Sequence, residues 1–142
     1  AVHPGCLVEI GGELAGAGVK PDGAPWWSEI AGQDNGAPFV VALHGIAIAT
    51  SGIERQLMLD GRAYSHTIDP ATGAPIANGM ILCSVLASSC MLADAYATAL
   101  MVKDPSKWAE FVEAENIAAL IRYVKDGRPI EKISPKMMTL ME

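Results

Sequence analysis

Asp94 and Thr98 stand four residues apart in the run LADAYATALMV. On an α-helix that spacing puts both side chains on one face. A carboxylate beside a hydroxyl suits a hard, oxygen-preferring cation. Magnesium takes one or two protein carboxylates and completes its shell with water and phosphate oxygens. A plainer reading competes with this one. An Asp in the first turn stabilises its own helix through the dipole, and a Thr can bond back to the carbonyl four residues earlier, here that of Asp94.

A second stretch, YSHTIDPATG at 64–73, sets His66 between two hydroxyl residues. Imidazoles titrate near neutral pH, so His66 is a candidate general base. The plainer alternative is a turn histidine bonded to backbone. Asp69-Pro70 shapes the turn and Thr72-Gly73 closes it. The two features flank one apolar run, 80–88, so the sheet decides whether they meet. His44 lies in an apolar stretch and reads as structural, as do Trp26, Trp27 and Trp108. There is no GxSxG, no P-loop and no dinucleotide fingerprint, and Gly11-Gly12 alone is a weak signal.

These residues need elements to position them. LVEI (7–10) predicts a strand that runs into Gly11-Gly12. KPDG (20–23) predicts a tight turn, and PWWSEI (25–30) a return strand, which makes 7–30 a hairpin. GQDNGAP (32–38) reads as a loop. FVVALHGIAIAT (39–50) is a strand pair, or one strand broken at His44-Gly45. Residues 51–63 read as irregular, with a turn signal at Asp60-Gly61. MILCSVLAS (80–88) is apolar on both faces and predicts a buried strand. Ser88 or Ser89 can then cap a helix over roughly 90–102. Asp104-Pro105 is an N-cap and first-position pair for a second helix, whose Trp108, Phe111 and Val112 form one buried stripe. AALIRYVK (118–125), Asp126-Gly127 and RPIEKI predict a closing hairpin. Met137, Met138 and Met141 form a closing apolar segment. The class is α+β with more strand than helix, in a single domain, 1–142.

Bulk properties narrow the partners. The chain has 142 residues, 51% of them hydrophobic and 18% charged, with a net charge of −6. Its pI is near 5.0 and its mean hydropathy +0.27. That is enough apolar material for one core, and no basic patch invites nucleic acid. Cys6, Cys83 and Cys90 are odd in number and form no CxxC, which argues against a disulfide framework. His3 and Cys6 are too few ligands for zinc. The longest apolar run, 80–93, is too short to span a bilayer and ends on Asp94, so a soluble chain with no transmembrane segment is expected. The chain does not begin with Met, as in a mature or trimmed form.

Four motifs occur in a familiar order: VEIGGELAGAGVKPDGAPW, IATSG with Arg55, YSHTIDPATGAPI and MLADAYATALMV. Together they resemble the ApbE family of flavin transferases (FAD:protein FMN transferases), over about residues 7–125. The resemblance implies a T-fold-like, mainly antiparallel sheet with two or three helices. It implies that FAD is the substrate and Mg2+ the cofactor, and that FMN is attached through a phosphoester to a threonine of an acceptor flavoprotein while AMP leaves. Asp94 and Thr98 match the family's metal-binding pair. His66 matches the histidine that takes the acceptor's proton, and Thr67 a position lining the FAD site. The periplasm or the outer face of the bacterial inner membrane is the location the resemblance implies.

The chain also departs from the family. The family's N-terminal half, with its DLGxIAKGYAxD-type segment, does not appear here. Gln56, Leu57 and Met58 stand where aromatic residues are usual. The chain therefore reads as resembling the C-terminal half of such an enzyme, with a separate N-terminal half or a homodimer mate as a further partner. The alternatives are a non-catalytic flavin-binding or maturation accessory, an FAD pyrophosphatase, and an inactive C-terminal fragment.

Overall fold

The computed structural model describes residues 5–30, 39–53 and 56–141. Strand β1 (Cys6–Ile10) turns through Gly11-Gly12 into β2 (Glu13–Ala17). Both glycines have positive φ, +69° and +106°, the backbone that a two-residue hairpin turn demands. The Gly12 N–H donates to Glu9 Oε1 at 2.9 Å and pins the turn. The expected pairing of 7–10 with 25–30 is therefore wrong. The chain reverses at the glycines, and β3 (Trp26–Ile30) pairs instead with β4 (Phe39–Leu43) in a separate two-stranded ribbon. ELAGA has no β-branched or aromatic residue to mark it as a strand. KPDG does form its turn, with the Gly23 N–H donating to the Lys20 carbonyl.

The run 39–50 divides at His44-Gly45, as one of its two readings required. Strand β4 stays in the ribbon, and β5 (Ala47–Gly52) enters the main sheet. His44 Nδ1 lies 3.0 Å from the Gly18 carbonyl and holds the bend. A Cβ on Gly16 would sit 2.1 Å from the Leu43 carbonyl oxygen, so only glycine lets β2 pass the end of β4. Residues 51–63 are not irregular throughout. β6 (Gln56–Leu59) and β7 (Arg62–Ser65) form a hairpin around Asp60-Gly61, both at positive φ. Every residue of β6 is exposed, so no burial period marked it.

The main sheet is completed by β8 (Met80–Ala87), β9 (Ala118–Lys125) and β10 (Arg128–Ile133). Its order is β1-β2-β5-β8-β9-β10, with every neighbouring pair antiparallel. Among the described residues three α-helices complete the α+β fold: α1 (Cys90–Val102), α2 (Trp108–Ala114) and α3 (Pro135–Met141). The strand alternation sorts the core into two layers. Ala49, Cys83, Val85, Ala119 and Ile121 share one cluster with α1 and α2. Ile48, Leu86, Ala118 and Leu120 share the other with Ile30, Val41 and Leu43 of the ribbon and Met137 of α3. The central strands are thus covered on both faces, which is why they read as unbroken apolar runs.

The caps behave as their chemistry requires. The Ser89 hydroxyl accepts from the Leu92 N–H and starts α1. The Asp104 carboxylate accepts from the Ser106 N–H at 2.8 Å and starts a 3₁₀ turn, Pro105–Lys107, that leads into α2. Its hydrogen bonds to Ser106, backbone first and then side chain, hold the Asp104 carboxyl below the usual range. Buried Ser134 precedes α3 and accepts from the Ala119 and Met137 N–H groups. The closing methionine segment is this last helix, anchored by buried Met137.

Candidate functional site

Ala93, Ala97, Leu100 and Met101 are the buried positions of α1, at the i, i+4, i+7, i+8 spacing of a core-facing stripe. Asp94 and Thr98 follow Ala93 and Ala97 by one residue. They therefore lie beside the buried stripe, exposed, at the margin where α1 meets β5. Strand β2 pairs with β5 only at Ala47 and Ile48. Thr50, Ser51 and Gly52 run on past the β1–β2 turn, and the notch left there is a cavity of about 420 Å3.

Its walls come from five separate stretches. The Gly11-Gly12-Glu13 turn, Thr50–Gly52 of β5, His66, Leu82 of β8, and Asp94 with Thr98 of α1 line it. The structure thus brings His66, Asp94 and Thr98 to one cavity. Thr67 does not line it. Its N–H donates to Ser65 Oγ at 3.1 Å and its carbonyl accepts from the Ile76 N–H. Asp94 is the fifth residue of α1, not in its first turn, and Ser89 does the capping. The Thr98 hydroxyl partners Ser51 Oγ at 3.2 Å, across to the sheet. Neither half of the plainer helix-stabilising reading describes this geometry.

The donor chemistry fits magnesium. Two carboxylates, Asp94 and Glu13, and neutral hydroxyls around an open cavity leave room for water and phosphate oxygens, as that ion prefers. Among the described residues no three His, Cys, Asp or Glu side chains gather to hold a metal, as a transition metal would ask. Gly12 already gives its N–H to Glu9, so that donor is not turned to an anion in the cavity. Cys83 is fully buried, and burial pushes its thiol up and away from nucleophilic use. His3 and Arg55 lie outside the described residues. Next to the cavity, and sharing Glu13 and Asp94 with it, runs an apolar groove lined by Val8, Ile10, Cys90 and Met91.

The His66 loop is shaped by its own backbone. The Asp69 carbonyl accepts from Thr72 and Gly73, Asp69 Oδ1 accepts from the Ala71 N–H, and Gly73 has φ +69°. Beyond it, Asn78 does work that the sequence did not disclose. Its Nδ2 donates to the carbonyls of Met101, Val102 and Lys103 at 2.8, 3.4 and 3.3 Å, and its Oδ1 accepts from the Met80 N–H. Asn78-Gly79 looks like a turn dipeptide, yet the side chain satisfies the open carbonyl end of α1. The segment after His66 is thereby tied to the helix that carries Asp94. Asn78→Asp is expected to destabilise the chain more than Asn78→Ala. The new anion would face carbonyl oxygens at the negative helix end, whereas alanine only loses hydrogen bonds worth about 1 kcal/mol each. Thermal unfolding of the two variants at neutral pH checks the order.

The ApbE family model matches residues 3–121. The FAD:protein FMN transferase of Escherichia coli K12 is 40% identical over 125 residues, covering 85% of this chain and 35% of that protein. The crystal structure of Pseudomonas stutzeri flavinyl transferase ApbE, apo form, superposes with a TM-score of 0.82 at 37% identity, covering 95% of this chain and 43% of that one. The flavin transferase ApbE from Vibrio cholerae superposes with a TM-score of 0.79 at 35% identity, covering 94% and 43%. The chain spans less than half the length of these relatives. No helix among the described residues is long and apolar enough to cross a membrane. In sequence and in fold alike, the chain belongs to the ApbE family.

Proposed function

We propose that this chain carries the metal and acid–base portion of an FAD:protein FMN transferase. It would transfer FMN from FAD to a threonine hydroxyl of an acceptor flavoprotein, with release of AMP. The observation that carries the reading is the convergence of His66, Asp94 and Thr98, from separate stretches, on one cavity. Family membership supports it, since the relatives bear that enzyme name. The location proposed is the periplasm or the outer face of the inner membrane.

In this reading Asp94 and Thr98 hold Mg2+ by carboxylate and hydroxyl oxygens. When bound, the ion supplies charge neutralisation at the pyrophosphate and the leaving phosphate. Exposed His66 takes the proton from the acceptor threonine. The threonine oxygen forms a bond to the FMN phosphorus, and the bond from that phosphorus to the bridging oxygen breaks, so the electron pair leaves with AMP. Positioned bases of this kind contribute about 100- to 10,000-fold. The loop hydrogen bonds around Asp69 shape the turn that follows His66, which lines the cavity and is exposed to an incoming side chain.

The exposure of His66 also favours a second reading. Water can replace the threonine there, and FAD is then hydrolysed to FMN and AMP. The test mixes the chain with FAD, Mg2+ and a threonine acceptor peptide. An FMN adduct in the intact mass of the peptide is the expected result. FMN and AMP without an adduct would favour hydrolysis. No turnover of FAD would leave a flavin-binding accessory, and neither turnover nor a flavin-dependent change in tryptophan fluorescence would overturn all three readings.

A further inference from the structure

We propose that Ser51 is a positioning residue that aims the Thr98 hydroxyl into the cavity. The inference rests on the reading of Asp94 and Thr98 as a cation site. A threonine inside a helix has two accessible χ1 rotamers, because in one of them its hydroxyl bonds back to a carbonyl of the preceding turn. For Thr98 the carbonyl four residues back is that of Asp94. In that rotamer the hydroxyl serves the helix. The observed partner is different: Ser51 Oγ, at 3.2 Å, on a neighbouring strand.

Ser51 is well placed to hold this contact. It sits opposite Cys83 in the β5–β8 register, and Cys83 is fully buried. The adjacent hydroxyl on β5, Thr50, is already engaged with buried Ser84 at 2.8 Å. Ser51 is therefore the strand hydroxyl that answers Thr98. A hydroxyl that gives a lone pair to a cation must direct its proton elsewhere. Ser51 Oγ accepts that proton and leaves the Thr98 lone pairs facing the cavity. Without Ser51 the proton goes to the helix carbonyl and the lone pairs turn with it. Outer partners of this kind are worth about 10- to 100-fold in metal affinity.

The test titrates the purified chain with Mn2+, free ion being read by electron paramagnetic resonance and Mg2+ used as competitor, with no flavin present. Wild type is expected to bind saturably and Asp94→Ala to lose binding. Ser51→Ala should weaken binding about 10-fold or more, Ser51→Thr should restore it, and Ser51→Ala with Thr98→Val should bind no more weakly than Thr98→Val alone. Circular dichroism confirms that each variant is folded. Ser51→Ala within twofold of wild type, while Asp94→Ala is lost, overturns the role of Ser51 alone. Additive losses in the double variant do the same, because independent sites add and coupled ones do not. Wild type without saturable binding, or equal to Asp94→Ala, overturns the cation site and this inference with it.

Discussion

Asp94→Ala is expected to remove FMN transfer, with the peptide adduct falling by about 1,000-fold or more. A bound metal contributes several kcal/mol of charge stabilisation, and each 1.36 kcal/mol is about tenfold in rate. Thr98 is neutral, so the negative charge that α1 brings to the cavity is that of Asp94, Glu13 of the glycine turn being the other carboxylate in its lining. Asp94→Asn keeps the shape and loses the charge, and it should fail nearly as badly. The fold should survive both changes, because Asp94 is exposed and the core stripe beside it is untouched. Rates across a Mg2+ series, with a melting curve for each variant, make the comparison. Asp94→Asn at wild-type rate in saturating Mg2+ would sink the metal assignment.

The second large effect concerns His66. His66→Ala should slow transfer by about 100- to 10,000-fold, the range of a lost general base, while FAD affinity stays within a few-fold. The loop hydrogen bonds of Asp69, Thr72 and Ile76 do not run through the imidazole. Flavin binding followed by tryptophan fluorescence, beside the adduct rate, separates the two effects. Equal losses of binding and rate would make His66 a binding group and not a base. Together the two variants test the proposed division of the chemistry, with Asp94 for the metal dependence and His66 for the proton.

What the sequence disclosed follows from which signals are local. The β9–β10 hairpin was legible because the turn pair Asp126-Gly127 follows the apolar run AALIRYVK, and α1 because Ser89 precedes an apolar repeat. The Asp94–Thr98 pair was legible because helical spacing alone sets it. Strand β2 was not, since ELAGA takes its place from Gly11-Gly12 and from backbone pairing, not from side-chain propensity. Strands β6 and β7 were hidden because all of β6 and half of β7 are exposed and neither has a buried residue. The convergence of His66 with Asp94 depends on strand order, which no local pattern encodes. Ser51 and Asn78 act across 47 residues and up to 25 residues of chain respectively. An isolated serine and an Asn-Gly dipeptide carry no trace of partners so far away.

The notch where β2 stops pairing with β5 also bears on how the molecule comes together in time. Closing it requires Leu14 to find Ile48 and Gly52 to find Leu82. Contacts so distant in sequence must pay loop-closure entropy before they return any stabilisation, and sheets built from them fold in about milliseconds to seconds. Helix α1 can form within about a microsecond from local contacts. The helix that carries Asp94 thus needs only local contacts, whereas the cavity around it needs distant ones. Interactions that arise only after the transition state change the escape rate from the native state and not the rate of reaching it. A ligand that engages the notch only once it has closed prolongs the life of the folded chain without hastening its formation.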